Sequence, residues 1–133
     1  IKMIIKSSYS LVEEAKQNIK SIDFYEALKL HSEKKTLFID LRDIRELEKT
    51  GKIEKAKHAP RGMIEFWIDP KSPYYKDYFN MNNSFIFYCA SGWRSALTTK
   101  MALEMGLLNV LNLENGINEW IKLNGPIEKV FRK

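Results

Sequence analysis

The stretch SFIFYCASGWRSA (residues 84–96) is the feature that most constrains the fold. Residues 85–88 are all apolar, so a strand here would bury both of its faces rather than one. Gly92 then allows the backbone to reverse direction within a few residues. Apolar residues at helical spacing predict a helix over residues 95–105 that ends near Gly106. A buried strand that turns directly into a helix is typical of a parallel sheet covered by helices on both faces.

The rest of the chain repeats this alternation of short strands and helices. Apolar spacing, caps and turn residues predict strands at 20–22, 36–40, 84–89 and 109–113, and helices at 11–19, 24–30, 42–51 and 116–123. Pro60 and Gly62 force a turn, and the MIEFWID segment that follows is apolar enough to cover one face of the core. No repeat or linker divides the chain. We therefore predict a single α/β domain over residues 20–133, preceded by a helical N-terminal extension over residues 1–19.

Two of the predicted strands and one short extended segment end in residues that suit a binding site. In a parallel sheet, ligands bind beyond the carboxyl ends of the strands, on the loops that lead into helices. Cys89 lies at one such end, Asp40 lies at another, and the HAPRG turn follows a third short extended segment. These loops should meet at one rim of the sheet.

The loop after Cys89 favours a negatively charged sulfur. If its arc curls round the sulfur, successive backbone N–H groups point inward, and the helix that follows directs its positive end to the same place. Arg94 adds a formal positive charge nearby. Such a site suits a thiolate nucleophile that attacks a negatively charged substrate, and it needs no general base. A Cys–His pair with His58 is conceivable, but no signature in the sequence supports it.

The composition excludes several other classes of protein. The one cysteine cannot form an internal disulfide, so we expect a cytoplasmic protein in a reducing compartment. His31 and His58 are too widely spaced to suggest a metal site. The net charge of +5 comes from dispersed lysines, which favours a solvated surface over a nucleic-acid interface. The apolar runs are too short for a membrane span, and the first residues lack the pattern of a secretory signal.

Several motifs, taken in order, resemble one family. CASGWRSA is similar to the six-residue active-site loop of the single-domain rhodaneses, which are sulfurtransferases. The same family has a strand, an Asp-x-Arg motif, a helix, a Gly-x-Ile motif and an x-x-Pro-x-Gly turn in succession. This succession is similar to LFIDLRDIRELEKTGKIEKAKHAPRG. LENGINEWIKLNGPIE resembles its closing Gly-x-x-x-Trp helix, and HAPRGMIEFWIDPKSPYY resembles a bacterial branch. These pieces cover most of residues 20–128 in the family's order.

The resemblance implies a three-layer rhodanese fold and a persulfide shuttle without a cofactor or a metal. Cys89 would take the outer sulfur of thiosulfate or a related small anionic donor, and a thiophilic acceptor (cyanide, a thiol or a protein) would remove it. Arg94 would help to attract the donor. The persulfide would be held by the backbone N–H groups of Ala90, Ser91, Gly92, Trp93, Arg94 and Ser95. No nucleic acid or membrane is implied as a partner.

The sequence also suggests roles for the other residues near the rim. We expect Asp40 and Arg42 to form a structural ion pair that braces the rim. Arg61 either faces the pocket or lies on an exposed turn, and the exposed turn is favoured. Trp93 either roofs the pocket or packs on a neighbouring part of the chain. We expect His58 to be a strand residue with a satisfied hydrogen bond.

Three residues depart from the family pattern. Lys52 replaces a common histidine, Lys55 replaces a second glycine, and Asn115 replaces one glycine of a usual pair. None of them lies in the Cys89 loop, so we expect them to affect turn geometry or a partner surface rather than the chemistry.

Two alternative functions remain open in the sequence. Cysteine phosphatases and arsenate reductases have a C-x5-R loop, whereas Cys89 and Arg94 form C-x4-R, a shorter arc that suits one extra sulfur atom better than a phosphoryl group. Rhodanese-like domains also serve as binding or regulatory modules, usually after loss of the cysteine, and this chain keeps it.

Overall fold

The computed structural model describes residues 4–132, so residues 1–3 of the predicted extension and residue 133 lie outside the described part. The helices are α1 (Ser8–Gln17), α2 (Phe24–Leu30), α3 (Ile44–Thr50), α4 (Ile64–Ile68), α5 (Trp93–Met105) and α6 (Gly116–Lys122). The strands are β1 (Ser21–Ile22), β2 (Thr36–Asp40), β3 (Lys52–Ile53), β4 (Lys57–His58), β5 (Ser84–Tyr88), β6 (Val110–Leu113) and β7 (Ile127–Glu128). No helix within residues 4–132 is long and apolar enough to cross a membrane.

Strand β5 lies at the centre of a parallel sheet. The strand order in this five-stranded sheet is β1-β6-β5-β2-β4. Phe85 and Phe87 pack with α4 and α5 on one face, whereas Ile86 and Tyr88 pack with α2 and α6 on the other. All four side chains are buried, which explains why this strand carries no polar alternation. The predicted α/β class, with helices on both faces of a mainly parallel sheet, is confirmed.

Helix α1 packs on the outside of α5. Val12 and Ala15 contact Ala96, and the half-buried Ile19 and Leu97 border this cluster. The fully buried residues of α5 are small, which lets the helix approach both the sheet and α1 closely. The division of the chain into an extension and a domain stays a prediction.

The structure differs from the predicted elements in several places. Helix α1 begins at Ser8 rather than at Leu11, and the apolar segment after Gly62 contains a helix, α4, that was not predicted. Helix α5 begins at Trp93 rather than at Ser95, because Gly92 takes a left-handed conformation (φ 98°) that reverses the chain before the first turn. The antiparallel pair of β3 and β7 was not predicted. Each of these strands has only two residues, and β7 is exposed, so neither leaves a hydrophobic pattern in the sequence.

A buried ion pair braces the end of β2, as the sequence predicted. The Nε and Nη2 atoms of Arg42 donate to the Asp40 carboxylate at 2.7–3.2 Å, and both residues are almost wholly buried. Arg42 also donates to the side chain of Thr50 and to the carbonyl of Gly51, each at 2.7–2.8 Å. One guanidinium therefore connects the end of β2 to the end of α3.

We predict that Arg42→Met destabilises the protein by about 3–5 kcal/mol, because it leaves the Asp40 carboxylate buried without its counter-charge. Urea unfolding followed by circular dichroism measures the effect. The control is Arg45→Met, which removes the solvent-exposed pair with Asp43 and should leave the unfolding midpoint almost unchanged. Equal losses in the two variants would contradict the structural role given to Arg42.

Candidate active site

The sulfur of Cys89 lies directly beyond β5, inside the turn that leads into α5. Cys89 is almost completely buried, with 1% of its surface exposed. The backbone N–H groups of Gly92 and Ser95 donate to Sγ, with nitrogen–sulfur distances of 3.2 and 3.4 Å. Gly92 directly precedes α5, and Ser95 lies in its first turn. Helix α5 has thirteen residues, and its positive end faces the sulfur. The arrangement favours negative charge on this sulfur or on an atom bonded to it.

A hydrogen-bonded chain of side chains continues from Cys89 into the sheet. The Cys89 thiol lies 3.5 Å from the Ser95 hydroxyl, which donates to Oδ1 of Asn112 at 2.6 Å. Nδ2 of Asn112 donates in turn to the Ser21 hydroxyl at 3.1 Å. Ser95 and Asn112 are fully buried, so this series of hydrogen bonds holds the Ser95 hydroxyl in one place beside the sulfur.

The carbonyl side of the Cys89 loop is held by α6. The N–H groups of Ile117 and Asn118 donate to the carbonyls of Cys89 and Ala90, at 3.0 and 3.1 Å. A Cβ atom on Gly116 (φ 64°) would overlap those same two carbonyl groups. A Cβ atom on Gly92 would overlap the carbonyl of Glu114. The Cys89 loop and the segment that leads into α6 therefore pack backbone against backbone, with Gly92 in one and Gly116 in the other.

Arg94 forms an ion pair with Glu46 of α3. Its Nη1 and Nη2 atoms donate to Oε2 and Oε1 of Glu46 at 2.9 and 3.0 Å, and each side chain is 37% exposed. The hydrogen bonds to Glu46 raise the pKa of Arg94, and a smaller contribution in the same direction comes from the charge and hydrogen bonding of Cys89. The guanidinium is thus paired with a carboxylate of α3, whereas the sequence predicted only that Arg94 would help to attract the donor.

The remaining loop residues differ in exposure. Ser91 is exposed, Ala90 is half-buried, and Trp93 is 52% exposed. The indole of Trp93 is therefore open to solvent at the start of α5. Whether Ala90, Ser91 and Trp93 contact a substrate stays a prediction.

The rim residues are placed as follows. The Asp40–Arg42 pair is buried at the end of β2, as described above. Arg61 is exposed and lines a cleft of about 60 Å³ between α4 and α5, together with Glu65. Nε2 of His58 lies 2.6 Å from the carbonyl oxygen of Arg42, so it has the hydrogen bond that was expected. That contact engages His58 with backbone rather than with Cys89. Within residues 4–132, no group of three or more His, Cys, Asp or Glu side chains is arranged to hold a metal ion.

Three contributors to the site were not predicted from the sequence. Asn112 gives no signal because a single polar residue in a strand is more often exposed than buried. Glu46 stands three residues after Asp43, and this capping-box spacing could have placed it at the start of α3. Nothing in the sequence links Glu46 to Arg94. Gly116 was predicted to start α6, but its contact with the Cys89 loop depends on the tertiary fold.

Comparison with known proteins identifies the architecture. The family model of the rhodanese-like domain matches residues 23–123. Comparison with curated protein sequences gives no match. A Rhodopseudomonas palustris protein of unknown function, named a possible tyrosine phosphatase, is 41% identical with a TM-score of 0.90, over 96% of this chain and 98% of that one.

Two structures of sulfur-transferring proteins are similar at lower identity. The homodimeric polysulfide-sulfur transferase of Wolinella succinogenes is 27% identical with a TM-score of 0.69, over 91% of this chain and 86% of that one. The thiosulfate sulfurtransferase of Pseudomonas aeruginosa is 21% identical with a TM-score of 0.74, over 95% of this chain and 23% of that one, which establishes likeness of fold.

The contact between the two loops gives a test with graded controls. Gly116→Ala should cost about 3 kcal/mol or more, because it adds both a left-handed alanine and an overlap with two backbone carbonyls. Gly106→Ala has the left-handed strain (φ 100°) but open space, so we expect about 1 kcal/mol. Gly62→Ala has neither and should be neutral. Thermal and urea unfolding measure this series, and a Gly116 variant as stable as the Gly106 variant would contradict the predicted contact.

Proposed function

The chain belongs to the rhodanese-like domain family, and on that premise we propose that it is a sulfurtransferase that carries a sulfane sulfur as a persulfide on Cys89. The observation that carries the proposal is the pair of backbone N–H groups directed at the Cys89 sulfur from Gly92 and Ser95. These donors would stabilise the negative charge that the outer sulfur of an anionic persulfide carries.

The proposed reaction has two displacement steps at sulfur. In the first, the Cys89 thiolate attacks the outer sulfur of the donor, an S–S bond forms, and the donor's own bond to that sulfur breaks. With thiosulfate as the donor, sulfite leaves with the electron pair. In the second step a thiophilic acceptor attacks the outer sulfur of the persulfide, and the Cys89 thiolate leaves. No proton has to be removed by a general base in either step.

The short loop supports sulfur transfer over phosphate hydrolysis. A phosphoryl group needs several inward N–H groups and an arginine free to bind two of its oxygens. Here the loop between Cys89 and Arg94 is one residue shorter than the phosphatase pattern, and both Nη atoms of Arg94 are engaged by Glu46. The phosphatase in the name of the Rhodopseudomonas relative is therefore an alternative to be tested rather than the proposal.

The proposed partners are small. The donor is a small anionic sulfane-sulfur compound, since two N–H groups donate to the sulfur and Arg94 belongs to the same loop. The acceptor is a thiol or the thiol of a protein, and the name of the Wolinella relative is consistent with sulfane-sulfur chemistry of this kind. A purely regulatory domain would need neither the Cys89 sulfur nor the donors around it, so the retained cysteine argues for catalysis.

We predict that incubation with thiosulfate, or with the monoanionic donor benzenethiosulfonate, adds the mass of one sulfur atom to the intact protein. Cyanide should remove this mass and yield thiocyanate, and Cys89→Ser should show neither change. Intact-protein mass spectrometry and a thiocyanate assay provide the measurements. Hydrolysis of an aryl phosphate that depends on Cys89, without any sulfur adduct, would instead establish the phosphatase alternative. A folded protein with neither activity would favour a binding module.

A further inference from the structure

Glu46 holds the only arginine of the Cys89 loop through both of its carboxylate oxygens. This is the geometry in which a carboxylate and a guanidinium satisfy each other, and it is the geometry in which Arg94 would otherwise bind an oxyanion. Any anionic donor that approaches Arg94 therefore competes with a carboxylate that is already in place.

The position of Glu46 is fixed by its own helix. It is the third residue of α3, and its Oε2 accepts the backbone N–H of Asp43 at 2.9 Å in a capping box. The hydrogen bonds from Arg94 are the main cause that lowers the pKa of Glu46, with a further lowering from the Asp43 N–H group. The residue is thus a carboxylate at neutral pH.

Two other arginines at this end of the sheet are also paired with carboxylates. Arg42 is paired with Asp40 and Arg45 with Asp43, so neither adds uncompensated positive charge on the α3 side of the loop. Arg61 lines the α4–α5 cleft beside Glu65. On the α3 side of the loop, the positive potential at the Cys89 sulfur therefore comes mainly from N–H dipoles. These dipoles stabilise one negative charge at close range but attract a dianion less than a free guanidinium would.

From this arrangement we propose that Glu46 determines which donor charge the site prefers, so that Cys89 takes sulfur from monoanionic donors in preference to dianions such as thiosulfate. The donors favoured are those with a single negative charge near the transferred sulfur, such as alkyl or aryl persulfides and thiosulfonates. This inference rests on the proposed sulfurtransferase function, and it assigns Glu46 as a specificity-determining residue.

The chemistry is the same for both classes of donor. With benzenethiosulfonate, the Cys89 thiolate attacks the terminal sulfur, a new S–S bond forms, and benzenesulfinate leaves with the electron pair. With thiosulfate, sulfite leaves in the same way. The two donors differ by one negative charge, react by the same kind of displacement, and give the same Cys89 persulfide. A comparison of their rates therefore tests the effect of the extra charge.

The first test compares the rates of sulfur loading from the two donors in Glu46→Gln and in the wild type. Glutamine keeps an oxygen for the Asp43 N–H group, so α3 stays capped while the charge is removed. We expect the thiosulfate/benzenethiosulfonate ratio of second-order rate constants to rise roughly three- to tenfold at low salt, and the rise to shrink at high salt. Glu48→Gln is the matched control: it removes the same charge from the same helix, but its carboxylate pairs with Arg132.

The second test measures the effect of the Glu46 charge on Cys89 without any sulfur transfer. Alkylation of Cys89 by iodoacetate, an anion, is compared with alkylation by neutral iodoacetamide. The ratio of the two rates cancels any change in the thiolate population, so it reports the electrostatic potential at the sulfur. Glu46→Gln should raise this ratio by about the same factor as the donor ratio, since each pair of reagents differs by one negative charge, and Glu48→Gln should leave it unchanged.

The outcomes separate the two claims. If Cys89 loads sulfur but Glu46→Gln leaves both ratios at the wild-type values, or if Glu48→Gln raises them equally, the role of Glu46 is wrong and the sulfurtransferase function stands. If neither donor loads Cys89, the proposed function fails and the donor preference fails with it. Circular dichroism of each variant checks that the fold is retained. Arg94→Gln removes the positive charge and leaves the Glu46 carboxylate without its counter-charge, so it should lower both ratios; unchanged ratios in this variant would contradict the role of Glu46.

Discussion

The backbone contact between the Cys89 loop and the start of α6 is the constraint on which the site depends. A peptide unit carries its N–H and its C=O on opposite sides, so fixing the carbonyl also fixes the direction of the amide. The N–H groups of Ile117 and Asn118 take the carbonyls of Cys89 and Ala90. The N–H groups of the same two peptide units, those of Ala90 and Ser91, therefore point away from α6, and the N–H of the next residue, Gly92, donates to the sulfur. Glycine at residues 92 and 116 is required because any larger residue would separate the two backbones.

The core supports this contact from both faces of the sheet. Trp120, fully buried, anchors α6 against Phe24 and Phe38, with ring centroids 5.1 and 5.5 Å apart, so the start of α6 cannot drift from the end of β5. On the other face, the small buried residues of α5 bring its first turn close to the sheet. Burial of apolar surface thus provides the stability, and it leaves the polar groups of the loop to act on one sulfur atom and one substrate.

Much of the fold could be predicted from the sequence, because its main elements have local signatures. β5 was predicted from its apolar run and β2 from its position between lysines and Asp40, and both were found within one residue of the predicted bounds. What could not be predicted are contacts between distant residues. Arg94 and Glu46 are separated by 48 positions, and neither residue type reveals its partner.

The departures from the family pattern show the same limit. Lys55 adopts a left-handed conformation (φ 69°) where the family commonly has glycine, and its N–H donates to Glu128 at 2.5 Å. Asn115 has a φ of −110°, so this position does not need a glycine. Lys52 replaces the family's histidine and donates to the carbonyl of Ala56 at 2.6 Å. Only the backbone angles and contacts distinguish a glycine that the fold requires from one that it can replace.

The central claim is that the loop after Cys89 holds one additional sulfur atom by its backbone N–H groups. A crystal structure of the protein after treatment with a sulfane-sulfur donor, with loading verified by mass, tests this claim most directly. We expect electron density for a second sulfur about 2.05 Å from Sγ. It should lie within hydrogen-bonding distance of at least two backbone nitrogens of residues 90–95. A second sulfur that points away from these nitrogens, or a loop that has to open to accommodate it, would contradict the account.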